Sequence, residues 1–267
     1  MKDKIILITG STDGIGKQTA IDLAEMGSVI IIHGRDQDKT RNTADEIKGL
    51  TGNGNIHYLT SDLSSLKQVK LLSEEIHVKF QKINVLINNA GVYEHRKVAS
   101  HDGHEMTFAV NHLGHFYLTH LLKDLIPVNN DSRIINVSSM AHAGSIDFEN
   151  LQGEKYYDGY NAYSLSKLCN ILFTYEAARR FQPKGITVNC LHPGVIRTKL
   201  LRAGWGLGGA PVQSGSKASV YLATSSELKG VTGKYFSNSR PVHSSGVSYD
   251  SCIQQQLWEI SKGLCGI

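Results

Sequence analysis

By Met26 the chain has run from an unbroken apolar stretch, Ile5-Ile6-Leu7-Ile8, through Thr9-Gly10-Ser11-Thr12-Asp13-Gly14-Ile15-Gly16 into a segment of helical pattern, Lys17 to Met26. A short apolar run without polar alternation suits a parallel strand covered on both faces. Ile21, Leu23 and Ala24 supply the apolar positions of the helix, and Gly27 stands where its C-cap would fall. A glycine turn alone fits a plain loop as well as a binding loop. With strand and helix on either side, the glycines let backbone approach a ligand, and the helix N-terminus offers it unpaired N–H groups. This order constrains the chain to an α/β fold and makes Gly10, Ser11, Thr12, Asp13, Gly14, Ile15 and Gly16 candidate contacts to the pyrophosphate of a dinucleotide.

The next apolar run, Val29 to His33, ends in Gly34-Arg35-Asp36. A carboxylate at such a strand end would bind the adenosine ribose hydroxyls and repel a 2′-phosphate, whereas a guanidinium offers the phosphate a fork of donors. Gly34 stands where the acid would be and Arg35 follows it, which favours NADP(H) and leaves NAD(H) open. Asp13 and Asp36 count against the preference; Lys17 and Arg41 would offset Asp13 if they face the ribose.

Further along, Tyr163 and Lys167 stand four residues apart in Tyr160-Asn161-Ala162-Tyr163-Ser164-Leu165-Ser166-Lys167, a spacing that puts both on one face of a helix. A cation there is expected to pull the tyrosine pKa below its usual value of about 10 and make it a general acid–base. Tyr156, Tyr157 and Tyr160 are rival phenols, but none has a lysine four residues later.

These motifs, with Asn88-Asn89-Ala90-Gly91, Val110-Asn111-His112-Leu113-Gly114, Asn136-Val137-Ser138-Ser139 and His192-Pro193-Gly194, follow one another as in the short-chain dehydrogenase/reductases. Nearly the whole chain resembles that family. The stretches Gly103 to Phe116 and Tyr163 to Asn170 are most similar to its retinol-dehydrogenase-like branch. The resemblance implies a single Rossmann-type domain over 1–267, a doubly wound parallel sheet with helices on both faces. A cofactor half would extend to about residue 130 and a catalytic and substrate half from 131. It implies hydride transfer between nicotinamide and a carbonyl or alcohol, with Tyr163 moving the proton and Ser139 holding the substrate oxygen; Ser138 is the rival serine. Lys167 would tune the phenol and hold the ribose. Asn111 would tie a relay water to Lys167, unless it merely satisfies buried backbone. Asp62 and Leu63 would meet the adenine, though Asp62 could equally cap a helix. Asn89, Ala90 and Gly91 would flank the nicotinamide ribose; Pro193, Ile196 and Thr198 would lie along the nicotinamide and phosphates. An epimerase or dehydratase on the same scaffold, or a non-catalytic nucleotide-binding protein, are the alternatives.

A net charge of +4, with no Lys/Arg block longer than two, argues against a nucleic-acid groove. The four cysteines form no Cys-x-x-Cys pair, and no stretch reaches the length of a membrane span. The expectation is a cytoplasmic enzyme without signal peptide or anchor, acting on a small hydrophobic carbonyl or alcohol. By the resemblance, it could pair as a homodimer or homotetramer through the helices bearing Asn111 and Tyr163. A continuous helix is expected from about Asp102 to Leu125. His101, His104, His112, His115 and His120 are read as solvated residues and not as metal ligands, and His95 as a neighbour of the substrate mouth. Ala143 to Asp158 is expected to form a loop beside the pocket. Leu200 to Gly209, apolar residues spaced by glycines, suit a lid over a hydrophobic substrate, with Arg197 and Arg202 available to an anionic group on it.

Overall fold

The computed structural model describes residues 1–129, 131–206 and 208–267; Leu207, within the expected lid, lies outside the described residues. The chain alternates β1 (Ile5–Ile8), α1 (Gly14–Glu25), β2 (Val29–Gly34), α2 (Gln37–Thr51), β3 (Ile56–Thr60), α3 (Leu66–Lys79) and β4 (Val85–Asn88). It continues with α4 (Met106–Phe108), α5 (Gly114–Leu121), β5 (Arg133–Val137), α6 (Gly159–Phe181), β6 (Thr187–His192), α7 (Lys199–Trp205), α8 (Val212–Thr224), β7 (Tyr235–Ser237), β8 (Arg240–Val242) and α9 (Ser251–Cys265). The strands form one sheet in the order β3-β2-β1-β4-β5-β6-β7-β8. All neighbours are parallel except β7 and β8, a terminal antiparallel pair.

Side-chain alternation along the strands divides the core into two layers. Ile6 and Ile8 pack with Ala20 and Leu23 of α1, Ile47 of α2 and Leu222 of α8. Leu7, between them, belongs to the opposite layer with Val69 of α3, Phe116 of α5, Leu172 of α6 and Trp258 of α9. Burying each such side chain contributes about 1.5–3 kcal/mol, which is why the strands carry apolar residues on both faces. The order in which strands are added reverses between β1 and β4, so their carboxyl ends open a crevice.

The expected helix from Asp102 is shorter and broken. Gly103 is left-handed (φ +82°), which no helix tolerates, so α4 begins only after Glu105, whose carboxylate accepts from the Thr107 and Phe108 N–H groups. A π-turn, Ala109–Leu113, follows before α5. His112 and His115 are buried, not solvated. His112 is covered by α9, which lies across α5 and α6, with the Trp258 ring 5.0 Å from Phe116 and the Ser261 hydroxyl 2.8 Å from His112 Nε2, whereas His115 faces β1, its Nε2 2.9 Å from the Thr9 hydroxyl. Among the described residues, no helix is long and apolar enough to cross a membrane.

Candidate active site

The glycine loop is locked to the turn after β4. The Asn89 amide donates to the Thr9 and Gly10 carbonyls at 2.8 and 3.1 Å. The Thr9 hydroxyl accepts from the Asn89 and Ala90 N–H groups at 2.9 and 3.0 Å. Gly10 is left-handed (φ +62°), and a Cβ there would stand 2.7 Å from Ala90 Cα; one at Gly16 would stand 2.4 Å from Asn89 Nδ2. Gly34 has a local cause as well, because a Cβ there would meet the Thr12 methyl at 2.5 Å. Ser11 departs from its expected role. Its hydroxyl donates to the Ile8 carbonyl (2.7 Å) and accepts from His33 N–H (2.9 Å), so it clips β1 to β2 instead of facing the cavity. Buried His33 sits behind the loop, its pKa pushed down to about 4 by burial, with Nε2 bonded to Ser61.

At the β2 end, Asp13 is the centre of charge. One carboxylate oxygen caps α1 through Gly14 N–H (2.8 Å), and the other meets Lys199 Nζ at 2.8 Å and Lys39 Nζ at 3.4 Å. The Lys199 hydrogen bond foremost, with Lys39 and the Gly14 N–H assisting, holds its pKa at about 2. Lys17 and Arg41 do not serve here: they pair with Glu46 (2.6 Å) and Asp38 (2.9 Å). The offsetting cations are Lys39 and Lys199, which sequence reading missed; Lys39 follows the Asp36 cap of α2 by three residues, the one signal for it. Arg35 and Lys39 both face the cavity.

Asp158 caps α6 through Asn161 N–H (2.9 Å) and starts the helix so that Tyr163 and Lys167 share its inner face. The expected drop in the tyrosine pKa is not found. Burial pushes the Tyr163 phenol up to about 12, against a smaller opposing effect of the Ser139 hydroxyl, which hydrogen-bonds it. Burial also pushes Lys167 down to about 8. Its ammonium lies 5.4 Å from the Tyr163 ring centroid and donates to the Val137 carbonyl (3.2 Å). Desolvation, invisible in the spacing of two residues, decides the sign. Ser138 donates to the Lys167 carbonyl (2.7 Å), which leaves Ser139 as the serine at the phenol.

Asn111 lies in the π-turn, wholly buried behind the cavity wall. Its amide bonds the Val92 N–H (2.8 Å), the Val92 carbonyl (3.1 Å) and the Ser166 hydroxyl (3.0 Å), so the side chain is consumed by structure. Its main-chain carbonyl meets His115 Nδ1 at 3.1 Å, and His115 Nε2 meets the Thr9 hydroxyl at 2.9 Å. A carbonyl can only accept, so Nδ1 carries the proton and Nε2 accepts from Thr9. Burial, pushing the His115 pKa down to about 3, keeps the ring in that neutral form.

A cavity of about 590 Å³ joins these parts, within the range of small-molecule sites. Arg35, Asp62 and Leu63 line one end; Ala90, Pro193, Ile196 and Thr198 line the middle; Ser139, Tyr163 and Lys167 line the other end. Asp62 does not cap α3: it accepts from Ser64 N–H (2.9 Å), and Ser65 is the cap. A dinucleotide fits this shape. The glycines keep side chains out of the loop, Gly14 N–H opens α1, and glycine at position 91 leaves free the space where a Cβ would lie 3.7 Å from Lys167 Nζ.

The expected lid begins as α7, capped by the Thr198 hydroxyl, which accepts from Leu201 N–H (3.1 Å), and closed by left-handed Gly206. Arg197 and Arg202 face a separate recess with Lys17 and Glu46, so the anionic-substrate role is not supported. Two rings were missed. Trp205 lies 5.4 Å from the Tyr163 ring and 5.5 Å from Tyr93, which itself lies 5.7 Å from Tyr163. His95 packs edge-on against Tyr93 at 5.1 Å. The Ala143–Asp158 segment borders its own polar cavity of about 440 Å³ beside α6.

The sequence matches the family described as short chain dehydrogenase over residues 4–205. It is 41% identical to retinol dehydrogenase 13 of Mus musculus, across 99% of this chain and 84% of that protein. It is 39% identical to retinol dehydrogenase 11 of Homo sapiens, across 99% of this chain and 86% of that one. A solved structure of an uncharacterized protein from Mycobacterium Paratuberculosis is similar with a TM-score of 0.84 at 29% identity, covering 99% of this chain and 94% of that one.

Proposed function

The chain belongs to the short-chain dehydrogenase family, whose members are nicotinamide-dependent oxidoreductases, and on that premise we propose that it interconverts a lipophilic, retinoid-like alcohol with its aldehyde or ketone, preferring NADPH. The observation that carries this reading is the meeting of Ser139, Tyr163 and Lys167, with Lys167 at the Tyr163 ring, in one cavity that also bears Arg35 and Lys39. Retinol dehydrogenases are among the similar proteins, and Met140, Leu200, Leu201 and Trp205 give the cavity an apolar lining suited to such a substrate.

A bound nicotinamide supplies the hydride. Gly10 to Gly16 would hold its pyrophosphate, Arg35 and Lys39 a 2′-phosphate, and Lys167 the adjoining ribose. Tyr163, protonated at neutral pH with a pKa of about 12, donates to the carbonyl oxygen in reduction and recovers the proton in oxidation. Ser139 stabilises the negative charge that develops on that oxygen. Lys167, 5.4 Å from the Tyr163 ring centroid, returns protons to the phenol. Residues 1–267 act as one domain, with cofactor and catalytic halves meeting at this crevice.

Tyr163→Phe tests the reading. Turnover should fall by about 10²–10⁴, the usual worth of a positioned acid–base group, while the dissociation constant for NADPH stays near that of the parent. A variant reducing retinal at close to the parent rate removes Tyr163 from the mechanism.

A further inference from the structure

We propose that His142 is a positioning residue for the reaction, a strut that aims the Ser139 hydroxyl by tying its turn to the C-terminal part of the chain. This rests on the oxidoreductase reading and extends it to a side chain outside the reacting cavity. β5 ends at Val137, and the two serines that follow are anchored differently. Ser138 is fixed on both sides: its N–H donates to the Leu191 carbonyl of β6 (2.8 Å) and its hydroxyl to the Lys167 carbonyl of α6 (2.7 Å). Ser139 begins a turn that leaves the sheet, and His142 closes it. The Ser139 carbonyl accepts from the His142 N–H at 3.2 Å and from the His142 ring Nδ1 at 2.7 Å. The Ser139 hydroxyl oxygen accepts from the Ala141 N–H at 3.1 Å, inside the same turn.

The ring is held from its far side as well. Its Nε2 accepts from the Ser245 N–H at 3.0 Å, a bond that spans 103 residues of sequence, and its edge packs on Tyr235 at 5.3 Å. A carbonyl only accepts and a backbone N–H only donates, so the two bonds require Nδ1 to carry the proton and Nε2 the lone pair. One neutral tautomer satisfies both partners, and the ring cannot flip without losing both. The segment that supplies the N–H is braced in turn. The Ser244 hydroxyl lies 2.8 Å from the Tyr175 hydroxyl of α6, and the Ser248 N–H donates to the Ser245 carbonyl at 3.0 Å.

His142 does not line the cavity that Ser139, Tyr163 and Lys167 share; it borders the polar cavity beside α6. It therefore touches neither substrate nor cofactor, and its route to the reaction is through Ser139. A hydroxyl that stabilises a developing oxyanion has to stand where that charge appears. A misplacement of about 1 Å can cost about 10²-fold in rate. The two bonds converging on the Ser139 carbonyl restrict that displacement, and the Ser245 bond keeps the ring aimed at it.

The experiment follows reduction of retinal and decanal by NADPH in His142→Gln, His142→Asn and Ser245→Pro, each alone and combined with Ser139→Ala. Asparagine puts an amide N–H where Nδ1 stands and keeps the bond to the Ser139 carbonyl; glutamine reaches to the Nε2 position and loses it. His142→Gln should lower kcat by about 10- to 100-fold with the dissociation constant for NADPH unchanged, and His142→Asn should recover most of that loss. Ser245→Pro removes the donated N–H at a backbone φ of −59°, which proline adopts, and the lost hydroxyl has no partner among the described residues. It should lower kcat by a smaller factor than His142→Gln. Ser139→Ala alone should cost about 10²–10³ in kcat. In that background the other three substitutions should each lower kcat further by less than about twofold, because the group being aimed is gone. An undiminished factor there, or an unchanged kcat in His142→Gln and Ser245→Pro as single variants, would overturn the strut and leave the oxidoreductase reading standing. Where His142→Gln does not fold, Ser245→Pro makes the same comparison and decides it. If the parent reduces neither aldehyde, or Ser139→Ala matches the parent, the reading itself falls and this proposal with it.

Discussion

The two ends of the cavity are built by different means. At the glycine loop, backbone and small residues set the geometry: Thr9 and Asn89 exchange hydrogen bonds with the neighbouring turn, and Gly10 and Gly16 touch atoms that leave no room for a side chain. At Tyr163, side chains from α6, α7 and the segment after β4 enclose the phenol, and their burial sets its acidity. The first end is specified by local sequence. The second is specified by which rings meet in three dimensions. The teaching is that a spacing motif locates a catalytic group but does not fix its pKa.

The largest effect should come from breaking the backbone-defined end. Gly10→Ala adds a Cβ 2.7 Å from Ala90 Cα and places it on a left-handed residue. Left-handed backbone costs about 1–2 kcal/mol and overpacking typically about 1–3 kcal/mol, so unfolding free energy should drop by roughly 2–5 kcal/mol. Denaturant titration measures this directly. A drop well under 1 kcal/mol would mean that the loop yields, and that its geometry is less fixed than its contacts indicate.

Removing charge at the same end should have a smaller effect, felt by the ligand more than by the fold. A charge-assisted contact from Arg35 to a 2′-phosphate is worth roughly 1.5–3 kcal/mol, or about a 10- to 150-fold preference for NADPH over NADH. Arg35→Ala should erase most of that ratio in equilibrium dissociation constants. Lys39→Ala should erase less, because Lys39 is shared with Asp13. Equal affinities in the parent would separate the charged rim from cofactor choice.

The same contrast explains what was legible beforehand. β1 is found over Ile5–Ile8 as its apolar run indicates, and the glycine loop lies between β1 and α1 as its residues require. Ser139, Tyr163 and Lys167 come together because their strand and helix ends share one edge of the sheet. Ser11 was misread because glycine-loop position alone does not say whether a hydroxyl faces out or back. His112 was misread because α9, more than 130 residues later, covers it, and His115 because Thr9, more than 100 residues earlier, meets its ring. Lys39, Trp205 and Tyr93 carried no motif, since their partners are distant in sequence. The Tyr163 pKa was inferred from one charged neighbour and is governed by apolar ones.

The smallest effect, and the one that tests the side-chain-defined end, is a response to pH. Lys167 is depressed to about 8, so its charged fraction falls about tenfold between pH 7 and pH 9. If that charge supports proton return to Tyr163, kcat should decline by about the same factor over this interval, while Tyr163, at about 12, remains protonated. Stability should move the other way. A lysine whose folded pKa is about 8, against 10.5 as its ordinary value, leaves the unfolded chain holding more protons above pH 8. Its contribution to unfolding free energy therefore rises with pH through that window. Tyr163 reverses the sign only above about pH 10, where the unfolded phenol loses its proton first. Thermal midpoints of the parent, referenced to Lys167→Met to isolate this group, should show that rise between pH 8 and pH 10 while turnover falls. A decline in both together would trace the loss of activity to unfolding, and a flat turnover profile would show that the Lys167 charge is not required at the phenol.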